Sequence, residues 1–390
     1  MRFHRVLRAT YSVALVILLF GRADADTAAQ QQLSPAPAAS AGSQPQSRDV
    51  ESPVFSAEEM TRFMAAATDA GQIKDPMKRC VDFPDPPGSH WSHDGIVAFC
   101  RYMLQPTMEL AEFDGLIKEG RAKELDRRFA AREADTDGHP DAFYHFLMVR
   151  FAKADPARQP LIESWKQQSP DSAFAFALSG WNFQNVGWAA RGHKTAKETP
   201  QSNFDAMDNA MERARGDLEM AVRLNPQMVA AYTAMMDIGM AVGDQEYVHQ
   251  AAMRGLQAPG GRYPVFVSLA IYTSARWYGT PQSQQSLLSD VRKSMSKEPL
   301  LHVVPAVVSC YAAGIDASAP RDGQWSIYRE VLDDMPTHRL LYSVGMTALR
   351  HHQYALAYVY LSEAVRFAAD DTGAVIALAQ ATMAMKASER

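Results

Sequence analysis

The stretch that decides the fold is Val344-Gly345-Met-Thr-Ala348-Leu-Arg350, followed by Tyr354-Ala-Leu-Ala357-Tyr-Val-Tyr-Leu361-Ser-Glu-Ala364. Gly345, Ala348, Tyr354, Ala357, Leu361 and Ala364 mark two antiparallel helices of one repeat within residues 338–370. Helices that cross closely need small side chains at the crossing, and Gly345, Ala357 and Ala364 supply them. Leu361 is bulky and fills the space toward the next pair.

The pattern recurs upstream. Ala214-Arg-Gly-Asp-Leu218-Glu-Met-Ala221 again places two alanines seven apart, and Asn225-Pro226 ends that helix. Residues 227–242 and 244–257 then read as the next pair. These spacings are those of a tetratricopeptide unit, so the expected fold is all-α: a tetratricopeptide-like helical-repeat array, an α-α superhelix of antiparallel helix pairs. Helical periods also cover 107–119, 120–134, 140–154 and 157–168. Ser56-Ala-Glu-Glu59 forms a capping box at the first helix. Residues 71–95 read as a loop, because Pro84, Pro86, Pro87 and Gly88 oppose a helix there. A helix is expected from about Pro305, and His351-His352 read as neighbours on a helix, pointing apart.

The 390 residues are 47% hydrophobic and 21% charged, enough apolar material to build a core. A net charge of -5 is not the basic footprint of a nucleic-acid binder, so no nucleic acid is expected as partner. Three cysteines exclude a disulfide-dense scaffold and a four-cysteine zinc site. Residues 1–26 read as a signal peptide: Arg2, Arg5 and Arg8, an apolar run from Ala9 to Phe20, then Ala23-Asp24-Ala25. An uncleaved signal-anchor is the alternative. No membrane span is expected after cleavage, and the expected location is the periplasm or outside the cell. Residues 27–53, rich in Pro, Ala, Gln and Ser, read as a disordered linker. Then follow an N-terminal helix with a Pro-rich loop (54–105), a helical-repeat domain (106–280) and C-terminal helical repeats (281–390).

Several stretches between about 110 and 280 resemble, in order, a bacterial family of helical-repeat proteins, the domain of unknown function 4034. They are Glu112-Phe-Asp-Gly-Leu-Ile, Leu161-Ile-Glu-Ser-Trp165 with Ser169-Pro-Asp-Ser172, and Gly187-Trp188-Ala-Ala-Arg191-Gly192. Ala275-Arg-Trp277-Tyr-Gly279-Thr is similar to the family's Arg-Trp-Gly-Gly turn, with Tyr278 in place of a glycine. The resemblance implies a tetratricopeptide-like fold and brings no catalytic residues. Trp188 and Arg191 share one helical face. Trp181, Trp188, Arg191 and His193 are therefore candidate partner-binding residues, or they lock their helix to its neighbour.

Cys80 and Cys100 flank the Pro-rich loop and form either a disulfide or two separate buried thiols. His90-Trp-Ser-His93-Asp94 offers three potential metal ligands but no frame to hold them, so no metal and no cofactor are expected. Ser294-Met-Ser-Lys297 matches an acylation motif whose partner motifs are missing. The carboxylates from Glu109 to Asp126 read as a solvated helical face, and the methionines near 207–240 as core filling or an adaptable binding surface. These features point to an exported, non-enzymatic scaffold for a protein or peptide partner. A periplasmic immunity-type inhibitor of a secreted toxin is the alternative, and an enzyme with a site near His90, His93 and Asp94 is a second.

Overall fold

The computed structural model describes residues 53–134, 141–192, 194, 196–277, 279–315, 318–320 and 323–388. All regular elements among them are helical. The α-helices are α1 (Ala57–Gly71), α2 (Pro76–Asp82), α3 (His93–Met103), α4 (Leu110–Lys118), α5 (Ala122–Glu133) and α6 (Ala142–Arg150). Next come α7 (Gln159–Gln168), α8 (Ala173–Arg191), α9 (Gln201–Leu224), α10 (Val229–Val242), α11 (Gln245–Gln257) and α12 (Arg262–Tyr272). The last six are α13 (Pro281–Ser294), α14 (Val304–Ala313), α15 (Ile327–Val331), α16 (His338–Arg350), α17 (Tyr354–Phe367) and α18 (Thr372–Ser388). No helix among the described residues is long and apolar enough to cross a membrane. The signal and linker expectations fall on residues 1–53, of which only the last is described.

The helices stack as an array. Helix α8 packs on α9 and on α10; α10 packs on α11 and α12; α16 packs on α17 and α18. Contact with the next helix and the next but one is what a stack of antiparallel pairs produces. Small residues set the crossings. A Cβ on Gly180 would sit 2.5 Å from Leu218 Cγ, one on Gly239 would sit 2.6 Å from Val248 Cγ2, and one on Gly345 would sit 2.6 Å from Leu361 Cγ. Leu218 and Leu361 are fully buried, each contributing about 1.5–3 kcal/mol. Met207, Met211, Met228, Met235, Met236 and Met240 are buried as well, so they fill the core rather than form a surface.

Two local expectations are corrected. Residues 71–95 are not one loop: α2 forms at Pro76, capped by Asp75 accepting from the Lys78 amide, and α3 begins at His93. Proline is tolerated in a first turn, because its missing N–H has no intrahelical partner there. The prolines at 84, 86 and 87 do fall between the two helices. His351 and His352 lie in a turn after α16, with His352 at φ +62°. The Gln353 amide turns back to the Ala348 carbonyl at 2.9 Å and closes the helix before them.

The first three helices form an arm that docks on the last repeats. Arg329 Nη2 pairs with Glu59 at 3.0 Å, and Trp91 Nε1 donates to the Leu332 carbonyl at 3.0 Å. The Phe63 and Tyr358 rings meet edge-on at 6.2 Å, as do Phe99 and Phe367 at 4.8 Å. A disulfide between Cys80 and Cys100, with Cα atoms 5.9 Å apart, ties α2 to α3. The far end of α3 reaches the middle of the array, where Tyr102 meets His145 of α6 and Tyr263 of α12.

Candidate functional site

Five of the carboxylates expected on a solvated face are held by arginines. Glu109 pairs with Arg150, Glu112 with Arg128, Asp114 with Arg158, Glu119 with Arg121 and Glu124 with both Arg121 and Arg128. Asp126 departs from the expectation. It is partly buried and accepts from Trp165 Nε1 at 3.1 Å and from the hydroxyls of Ser169 and Ser172. Trp165, Ser169 and Ser172 thereby fix the turn between α7 and α8.

The Gly187–Gly192 signature is a packed corner. A Cβ on Gly187 would sit 3.0 Å from Met211 Cε and 3.3 Å from the Met207 carbonyl oxygen of α9. Trp188 is half-buried edge-on against Trp277 at 6.0 Å. Arg191 Nη1 donates to the carbonyls of Gly192 (3.1 Å) and Lys194 (2.7 Å) and so holds the turn after α8. Gly192 ends the helix at φ +74°, ψ -167°, a conformation open to glycine rather than the left-handed helical one. Trp181 is buried and donates to the Phe151 carbonyl at 2.9 Å. His193, like Tyr278, lies outside the described residues. A groove of about 320 Å³ lies nearby between α7, α8 and α9, lined by Glu163, Lys166, Phe183, Arg213 and Asp217. None of Trp181, Trp188 and Arg191 lines it.

The histidine stretch near α3 is taken up by docking. His90 Nδ1 lies 2.6 Å from Asp333, and His93 opens α3 with its side chain exposed. Ser92 Oγ caps Gly95 and lies 3.4 Å from His302 Nε2. Among the described residues, no group of three or more His, Cys, Asp or Glu side chains is arranged to hold a metal ion.

A site that the sequence did not single out lies where α3, α5, α6, α10, α12 and α16 converge. Asp141, just ahead of α6, is 5% exposed, and burial pushes its carboxyl up to about 7. Glu133, the last residue of α5, is pushed up to about 8 by burial and by the charge of Asp141. Asp237 of α10 is raised to about 6 by burial, against the pull of Arg339 and a 3.2 Å hydrogen bond from Gln184 Nε2. Tyr102, Tyr144 and Tyr263 stand among these carboxylates and are all held well above the ordinary phenol range, chiefly by burial. Tyr102 Oη is buried without a well-formed hydrogen bond and faces Asp141. Tyr144 meets Trp181 edge-on at 6.0 Å, so one of the four candidate residues abuts this cluster. Glu133, Asp237 and Tyr263 keep partial exposure and Arg339 is exposed, while Asp141, Tyr102 and Tyr144 are buried beneath them. No linear motif marks it, because its members are spread from residue 102 to residue 339.

With this geometry the comparison with known families can be placed. Residues 109–258 match the model of the domain of unknown function DUF4034. The match covers Glu133, Asp141, Tyr144 and Asp237, together with the Gly187–Gly192 corner, and it ends before the turn at 275–280. Tyr102, Tyr263 and Arg339 are contributed from outside it. No curated protein and no solved structure matches the chain.

Proposed function

We propose that the chain is an exported, non-enzymatic helical-repeat scaffold that binds a protein or peptide partner. The observation that carries this reading is the carboxylate and tyrosine cluster at the convergence of six helices. It is polar and deep with a partly exposed rim, and it is assembled from several helices rather than from one loop. Helical-repeat arrays present extended concave surfaces to their partners. Export fits the N-terminal sequence and the disulfide in the arm, since disulfides persist in oxidising compartments.

The test is a crosslinking capture of partners by the full chain, with Trp188→Ala, Arg191→Ala and Asp141→Asn compared with wild type. This reading expects one partner, lost with Asp141→Asn and kept by the two corner variants. No partner from any compartment would defeat it. A partner lost with Trp188→Ala and Arg191→Ala alone would move the binding face to the corner.

A further inference from the structure

We propose that the outer face of α18 pairs with the same face of a second copy of this chain, antiparallel, about a two-fold axis that passes between Ala379 and Gln380. This assignment is independent of the scaffold reading.

Exposure points to this helix. Six large apolar side chains stand exposed among the described residues. Val375, Ile376 and Met383 of α18 are three of them, at 42%, 52% and 65% exposed, and the other three lie on three different helices. The inner face of α18, formed by Ala374, Ala377, Ala381 and Met385, is buried where the helix packs on α17 and α16. Lys386 is the one charged residue among its 17. A helix that is apolar all round is ordinarily buried all round. The terminal repeat of an array ordinarily turns a polar face outward. Helix α18, the last described, does neither.

The pattern of the outer face says what covers it. Ile376, Ala379, Met383 and Lys386 follow at intervals of three, four and three, the spacing by which one helix seats along another. In the antiparallel pair Ile376 meets Met383 of the second copy, and the two-fold axis repeats that contact. The small Ala379 leaves room near the axis for the backbones to approach. Lys386 comes level with Gly373 of the second copy, within one turn of Asp370 and Asp371 at the start of its α18. Asp370 and Lys386 are exposed, and Asp371 is held at that end by accepting from the Gly373 and Ala374 amides. A parallel pair would set the acids against acids and lysine against lysine, which is repulsive. The bulky, small and charged positions therefore complement their own copy reversed. The same two acids oppose an anionic membrane as the cover. One helix from each copy is a small interface, so the dimer depends on concentration.

The experiment is sedimentation of the full chain over a concentration series. A monomer–dimer equilibrium is expected. Met383→Glu and Ile376→Glu replace exposed side chains, so each should leave the unfolding temperature of the monomer unchanged. Each should raise the dimer dissociation constant by at least about 100-fold, since one substitution alters two contacts. Lys386→Glu should weaken the dimer, and adding Asp370→Lys should restore part of it. The register is read by oxidative crosslinking of two mixed single variants, Ile376→Cys and Met383→Cys. The mixed disulfide is expected to form ahead of either self-pair. A monomer at every concentration, with or without binding to anionic vesicles, would overturn the assignment. So would a dimer that both glutamate variants leave intact, or self-pairs that form ahead of the mixed disulfide.

Discussion

Arg366 donates from Nε to the carbonyl oxygen of Cys80 at 2.6 Å, across 286 positions of sequence. The same guanidinium, with no side-chain exposure, pairs with Asp85 at 2.8 Å and Glu363 at 3.1 Å. It is the joint between the N-terminal arm and the last repeats. Arg366→Met is expected to cost about 3–5 kcal/mol, because it strands the fully buried Glu363. Adding Glu363→Gln should recover part of the loss. Urea unfolding of the single and double variants measures both.

The disulfide makes a second prediction. Closing a loop of this length restricts the unfolded chain by about 3 kcal/mol. Reduction, or Cys80→Ala with Cys100→Ala, should lower the unfolding temperature and loosen α2 and α3 first. Thiol titration should find one reactive group, Cys310, in the denatured oxidised chain and three after reduction.

A third prediction concerns pH. Asp141, Glu133 and Asp237 are raised to about 7, 8 and 6 by burial, against about 4 when unfolded. The folded chain therefore holds more protons than the unfolded one between these values. The stability they contribute is fully present below about pH 4 and is lost as pH rises toward 8. Unfolding free energy should fall between about pH 4 and 8, and Asp141→Asn should flatten the slope. No slope would show that these carboxyls titrate in the folded chain as they do in the unfolded one, and a slope of the opposite sign that folding lowers their pKa.

Two glycines give opposite predictions. Gly345→Ala places a Cβ 3.2 Å from the Leu361 amide nitrogen, beside a buried side chain, and should cost about 1–3 kcal/mol. Gly216, mid-way along α9, has nothing within 4 Å of an added Cβ. Gly216→Ala should stabilise by about 0.5–1 kcal/mol through helix propensity. Thermal unfolding of the two variants separates the crossing from the open position.

The helix pairs were legible in the sequence because their signals are local. Gly345 and Leu361 sit sixteen positions apart, and the rise of a helix and the length of its turn place them together. Asn225-Pro226 and the capping box at Ser56 are local in the same way. The arm was not legible. Trp91 meets Leu332 and Arg366 meets Cys80 through contacts that no periodicity encodes. The helix at Pro76 was hidden because a proline reads as a breaker unless its place in the first turn is known. The polar cluster was hidden for a further reason. Tyr102, Asp141, Asp237 and Tyr263 each look like ordinary surface or interfacial residues until the array folds them together. Trp181 meets Tyr144 of this cluster, while Trp188 and Arg191 are engaged with Trp277 and the turn after α8.

The docking of the arm also fixes an order of events during synthesis. The helices between α3 and α14 can pair as they emerge, since each finds its neighbour within a few tens of residues. Helices α1 to α3 cannot. The backbone carbonyl of Cys80 waits for Arg366, which at about 5–20 residues per second means roughly 15–60 s. For that interval Phe63, Trp91 and Phe99 are unburied, and the two cysteines can meet other thiols. The arm is made before the repeats it docks on and is the last to be finished, and a product truncated before Arg366 would carry it as an open, apolar surface.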